Sequence, residues 1–283
     1  MTCQLYTIER AGKHFQVADY PGEKGTILAL HGLTGTHKNF HHYAEALQGE
    51  YRFISIDLRG RGNSSGMDDV PSIFSHAQDV KALIEHLAIK NQILLGHSMG
   101  AFISAIVASE LETVKGLILL DGAARMSERQ QAIVKPSLGR LQKTYETKRA
   151  YVEEVKQIYG RLGVEWTDAV QAIVEYDIHE VDNLWVHKSF GQCIQEDFDS
   201  FYSFNPKEVL SAVNCSTLLV QATGNIGPFP PFFERQDFVE TIQATPKLVT
   251  YTSDCNHYTM MFTKQAAIIE TIQTFLKEVH VNE

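Results

Sequence analysis

Four short apolar runs, TILALHG, YRFISID, NQILLGH and KGLILLD, punctuate the stretch from Gly25 to Asp121, with helical spacing between them. Runs of this length, rich in Ile and Leu, belong to strands buried on both faces. Between the runs, Phe40, Tyr43, Ala44 and Leu47 share one helical face, as do Val80, Leu83, Ile84 and Leu87. Buried strands alternating with amphipathic helices predict an α/β fold, a mostly parallel sheet with helices on both sides. With 283 residues, 44% hydrophobic and 21% charged, the chain is long enough and apolar enough to fill that core.

Residues 4–20 mix apolar and polar side chains as half-exposed antiparallel strands do, with Gly12-Lys13 as the turn. The alternation stops after Asp121. From about 122 to 214 come polar helical segments (QKTYETKRAYVEEVKQIYG, WTDAVQAIVEY) and no buried-strand pattern. It resumes with STLLVQA, an irregular GNIGPFPPFF, an amphipathic DFVETIQA, a strand KLVTYT and a helix from about 262 to 279. An insertion of about 90 residues is too long for a loop. Residues 122–214 are therefore expected to form a helical cap, or lid, over a core built from 1–121 and 215–283.

Charge narrows the partners. With 34 acidic against 25 basic residues the net charge is -9, which argues against nucleic acid and against an anionic membrane surface. Cys3, Cys193, Cys215 and Cys255 have no metal-ligand spacing and read as free thiols of a reducing compartment. The segment MTCQLYTIERAGKHF lacks the apolar run of a signal peptide, and no apolar stretch is long enough to span a membrane. A cytoplasmic protein, monomer or homodimer, is expected.

The most specific motif is Gly96-His97-Ser98-Met99-Gly100, directly after the strand NQILL and before the helical AFISAIVASE. A strand-to-helix turn this tight leaves its serine strained and exposed and requires small flanking residues, which Gly96 and Gly100 supply. The helix start also offers the Met99 N–H to a developing oxyanion.

With LALHGLTG after the third strand, SIDLRGRGNSSG after the fourth and a histidine in CNHYTMMF, the sequence resembles the α/β-hydrolase superfamily over nearly its whole length, in its serine-nucleophile, carboxylesterase-like branch. The resemblance implies that Leu33 supplies the second oxyanion N–H, that His31 is structural, and that Asp57 and Arg59 hold their loop together. DLRGRGNS carries Arg61 where a histidine is common in the family.

A serine hydroxyl needs an imidazole within reach, and His257, a short loop beyond KLVTYT, falls at the same sheet edge as Ser98. The acid departs from the commonest family pattern, because the slot after STLLV falls on Asn225 and an amide cannot stabilise an imidazolium. Asp121, at the end of GLILL, is the alternative that some branches use. A right-handed crossover lays GLILL parallel to NQILL, so both carboxyl ends open on one edge. Asp237 and Asp254 are the remaining candidates.

Ser98, His257 and Asp121, with no metal and no cofactor, thus predict hydrolysis of a small carboxylic ester through an acyl-enzyme. Lactonase, thioesterase, carbon–carbon hydrolase and cofactor-free dioxygenase chemistry use related residues. The pocket is expected to include His31, Gly32, Asn225 and Phe229. GPFPPFF either shapes it or packs beneath the cap, and Trp166, Trp185, Tyr176 and Phe190 either line it or form the cap's own core. His37, His41 and His42 read as a solvated helix face.

Overall fold

Alternate residues of the central strands point to opposite sides of the sheet, and each side builds its own core. The computed structural model describes residues 3–10, 12–66, 70–189 and 191–281; Phe190 lies outside them. Its main sheet contains β1 (Gln4–Arg10), β2 (Lys13–Tyr20), β3 (Thr26–Leu30), β4 (Arg52–Ile56), β5 (Gln92–His97), β6 (Val114–Leu120), β10 (Ser216–Ala222) and β11 (Leu248–Ser253). The spatial order is β1-β2-β4-β3-β5-β6-β10-β11. β2 pairs antiparallel with β1 and β4, and every other pairing is parallel.

On one side Leu28, Leu30, Leu94, Leu117 and Leu119 pack against α2 (Ile73–His86) and α3 (Met99–Glu110) through Val80, Leu83, Phe102 and Ile103. On the other, Ile27, Ala29, Ile93, Leu95, Ile118 and Leu120 meet α1 (His41–Leu47) and α11 (Ala266–Val281) through Tyr43, Leu47, Ile272 and Leu276. The period of two along each buried strand sorts the side chains into these layers. This is the α/β-hydrolase fold expected from the sequence. The carboxyl-terminal helical segment differs in detail, being divided into α10 (Thr259–Phe262) and α11, and DFVETIQA forms a 3-10 turn followed by α9 (Val239–Ala244).

The segment between β6 and β10 carries α4 (Glu128–Leu138), β7 (Thr144–Tyr145), α5 (Lys148–Arg161), α6 (Asp168–Tyr176), β8 (Ile178–Val181), β9 (Leu184–His187), α7 (Gly191–Ser200) and α8 (Pro206–Ser211). Thr147 and Thr167 cap α5 and α6 by accepting from the N–H groups of Ala150 and Val170. The insert is mainly helical, with an added three-stranded sheet, β7-β9-β8, that no apolar run announces because its side chains are largely exposed. Its β8–β9 hairpin turns on Asp182 and Asn183, both at positive φ, as a two-residue hairpin loop requires. α4 and α7 extend one core with Val134, Leu138, Ile194 and Phe198; α5 and α6 extend the other with Tyr151, Val155, Tyr159 and Ile173. α8 packs instead on α3 and α9, as part of the body of the molecule.

Candidate active site

Ser98 sits where β5 ends and α3 begins, with φ 53° and ψ −117°, a conformation costly for any residue with a Cβ. Backbone crowding fixes it there. A Cβ on Gly96 would lie 2.1 Å from the Gly100 carbonyl oxygen, and one on Gly100 would lie 1.8 Å from that of Leu30. The Ser98 N–H donates to the Leu120 carbonyl at 3.0 Å, tying the turn to β6.

Asp121 follows β6 and is fully buried, its N–H donating to Val220 O at 2.8 Å. One carboxylate oxygen accepts from the Ala222 N–H at 3.1 Å, and the other accepts from His257 Nδ1 at 2.7 Å. The carboxylate thus fixes the tautomer, leaving the lone pair of His257 on Nε2. Phe232 stacks on the imidazole at 4.4 Å between ring centroids, and the His97 ring lies 4.7 Å away. His97 Nε2 donates to the His257 carbonyl at 3.1 Å; burial and the neighbouring His257 hold its pKa well below the ordinary value.

Asn256 secures the His257 loop. Its amide nitrogen donates to Leu162 O at 2.8 Å and Asn225 O at 3.1 Å, while its oxygen accepts from the N–H groups of Tyr258 and Thr259. The other carboxylates considered lie elsewhere. Asp237 is bound by Arg129, Gln130 and the Glu234 N–H, and Asp254 is exposed.

Ser98 and His257 open on one small cavity of about 90 Å³, which Gly32, Leu33 and His97 also line. Among the described residues the N–H groups of Leu33 and Met99 have no hydrogen-bond acceptor in the protein. The insert closes the cavity with Val134, Leu138, Tyr159, Asp177, Phe198 and Phe201.

Of the expected pocket residues only Gly32 lines this cavity. His31 is fully buried: Nδ1 donates to Gly32 O at 2.7 Å and Nε2 accepts from the Leu58 N–H at 3.0 Å. Burial pushes its pKa down to about 3, so it stays neutral. Asn225 is in an exposed turn, and Phe229 is 47% exposed. The aromatic contribution of GPFPPFF comes from Phe232 instead. Tyr176, Trp166 and Trp185 are likewise not among the lining residues. His37 is not solvated: it lies in a 3-10 turn, buried, with its N–H and Nδ1 both 2.8 Å from Asp57 Oδ1. Tyr176 of α6 donates to the other Asp57 oxygen at 2.6 Å, joining insert and body. Burial would raise the Asp57 pKa, but these bonds outweigh it and hold the carboxyl below its ordinary value.

Arg61 makes a second junction. Nε donates to Leu33 O at 2.9 Å, Nη1 lies 2.5 Å from Asp197 Oδ2 on α7, and Nη2 reaches the Met99 sulfur at 3.7 Å. His76 Nε2 is 3.2 Å from the same Asp197 oxygen. Nothing in the sequence marks this network except the arginine standing where the family often has histidine.

Among the described residues no disulfide joins any of the four cysteines. Among the described residues, no helix is long and apolar enough to cross a membrane, and no group of three His, Cys, Asp or Glu side chains is arranged to hold a metal ion.

Residues 25–156 match the family model for the alpha/beta hydrolase fold. The chain is 29% identical over 162 residues to a 3-hydroxybutyrate-oligomer hydrolase of Cupriavidus necator, a match covering 55% of each protein. It is 26% identical over 242 residues to an N-formylmaleamate deformylase of Pseudomonas putida, covering 84% of each. Several of the curated relatives are matched over only about half their length or less. The solved structure of an E-2-(acetamidomethylene)succinate hydrolase superposes with a TM-score of 0.86, covering 98% of this chain and 100% of that one; at 18% identity this speaks to the fold alone. The strained turn at Ser98, the sheet order and the family-model match over residues 25–156 together give the chain the α/β-hydrolase fold.

Proposed function

We propose that the protein is a serine hydrolase that cleaves a small carboxylic ester through an acyl-enzyme. The observation that carries this reading is the 2.7 Å bond between His257 Nδ1 and Asp121, beside the strained Ser98 in one cavity. His257 Nε2 takes the proton from Ser98 as its oxygen attacks the carbonyl carbon. The N–H groups of Leu33 and Met99 receive the negative charge of the tetrahedral intermediate, and His257 then protonates the leaving alcohol. Water activated by the same imidazole releases the acid. Within residues 122–214, the segment from α4 to α7 acts as the cap in this reading, enclosing the substrate from above. Four cysteines without a disulfide among them support a cytoplasmic setting.

The test is hydrolysis of nitrophenyl esters from acetate to decanoate with Ser98→Ala in parallel. Ser98-dependent turnover with a short-chain optimum is the expected result, given the cavity of about 90 Å³. Absence of turnover with every ester sinks the ester reading. One observation favours a second reading, cleavage of a small amide: the deformylase relative aligns over 84% of both chains. The same residues serve that reaction, with His257 protonating nitrogen, and an acyl amide series run beside the esters ranks the two.

A further inference from the structure

Arg140 is a cation of the insert that the chemistry above does not use. Arg140 lies in the 3-10 turn Gly139–Gln142, directly after α4, whose Val134 and Leu138 line the cavity. The residue is half-buried, and its charged end lies among Tyr151, Tyr159, Asp177 and Tyr258. Tyr159, Asp177 and Tyr258 are themselves cavity-lining. Among the described residues the guanidinium has no hydrogen-bond or ion-pair partner. Around it stand buried polar atoms that also lack one: Asp177 Oδ1, the Tyr151 hydroxyl and His187 Nε2. Each of these residues is more than nine-tenths buried.

Such unsatisfied groups are rare in a finished core and common where a ligand completes the network. The local charge sets its sign. Lys38 and Lys188 also face Asp177, whereas Asp57 is already bound by His37 and Tyr176. In a protein of net charge -9, Arg140, Lys188 and Lys38 surround the cavity-lining Asp177 with positive charge. A planar guanidinium recognises a carboxylate through two parallel bonds.

We propose that the substrate is an acyl compound carrying a carboxylate of its own, held by Arg140 at the end of the cavity remote from Ser98, with Tyr159 and Tyr258 beside it. The assignment deepens the hydrolase reading and rests on it for the position of the scissile bond. The cavity size favours a short spacer between the two carbonyl carbons.

Methyl hydrogen succinate and methyl butyrate match in shape and differ in charge. Binding of each to the Ser98→Ala protein is measured by calorimetry, with Arg140 intact or changed to Gln. The anionic ester is expected to bind at least about 10-fold more tightly, and Arg140→Gln to abolish that preference. Arg140→Lys, which keeps the charge and loses the fork, should retain part of it, and serves if the Gln variant does not fold. Equal binding of the two esters with Arg140 intact, binding of neither, or an equal loss for both on substitution overturns the proposal. Turnover of the same pair by the unmodified enzyme is read separately. Charge-selective binding without Ser98-dependent turnover defeats the hydrolase reading and leaves the anion site standing.

Discussion

Asp121 and His257 stand 136 residues apart in sequence and 2.7 Å apart in space, between Asp121 Oδ2 and His257 Nδ1. The second carboxylate oxygen is held by the Ala222 N–H of the neighbouring strand, so the acid is fixed before any substrate arrives. Asn225 lies in the exposed turn beyond that strand and joins the site only through its carbonyl oxygen, bound by Asn256. Asp121→Asn should therefore lower kcat by roughly 10⁴-fold, since an amide favours the wrong tautomer. Asn225→Ala should change kcat/KM by less than about threefold. Steady-state kinetics on one ester compares them, and the reverse ranking moves the acid to the later strand.

The turn that presents Ser98 depends on atoms that are missing. Gly100→Ala would put a Cβ 1.8 Å from the Leu30 carbonyl oxygen, against backbone that has no rotamer to escape into. A loss of about 3 kcal/mol or more in stability is expected, together with activity, because β3 and the start of α3 must separate. Urea unfolding of the variant measures it. A stability within 1 kcal/mol or so of the parent would mean the elbow is looser than described.

How far the sequence carries follows from where the signals are local. The strands were readable because burial on both faces makes TILAL and NQILL continuous apolar runs, and Ser98 because its glycines lie within two residues of it. Asp121 was reachable by topology, through a parallel neighbour whose carboxyl end opens beside Ser98. The pocket was not. His31 looked available because it adjoins the oxyanion turn, yet both ring nitrogens are spent on backbone groups. Phe229 and Phe232 are indistinguishable in GPFPPFF, and only the folded loop turns Phe232 onto His257. The small sheet of the insert left no apolar run to read, although Asp182-Asn183 is a turn signal in the right place.

Arg61 and Asp197 form a buried ion pair that links the loop after β4 to α7 of the insert, and the same arginine holds the carbonyl of Leu33. Burial would raise the Asp197 pKa, yet Arg61 and His76 keep it below its ordinary value. Removing one partner strands the other charge without water. Asp197→Ala should cost about 3–5 kcal/mol, whereas the pair Arg61→Met with Asp197→Leu should recover much of that loss. The double variant should still turn over more slowly, because Leu33 has lost its anchor. Denaturant curves and kcat for the parent, Asp197→Ala and the double variant test both statements; a double variant no more stable than Asp197→Ala would show that the two residues do not act as a pair.

Asp177 gives the protein a pH dependence of stability opposite to that of the usual carboxylate. Burial raises its pKa from 3.8 to about 7, only partly countered by Arg140, Lys188 and Lys38, while Asp57 adds to the rise. Between these values the folded state keeps a proton that the unfolded chain has released, so stability falls as pH rises through this window. The full effect is of the order of 4 kcal/mol, complete once the pH exceeds the folded value. His187 and His31, each held near 3 by burial, act in the other sense, since below about 6.5 the unfolded chain protonates them and the folded state does not. Comparing variants isolates Asp177 from those histidines. Asp177→Asn should exceed the parent modestly near pH 5 and by a wider margin at pH 8 in thermal unfolding, and two curves that stay parallel from pH 5 to 8 would refute the assignment.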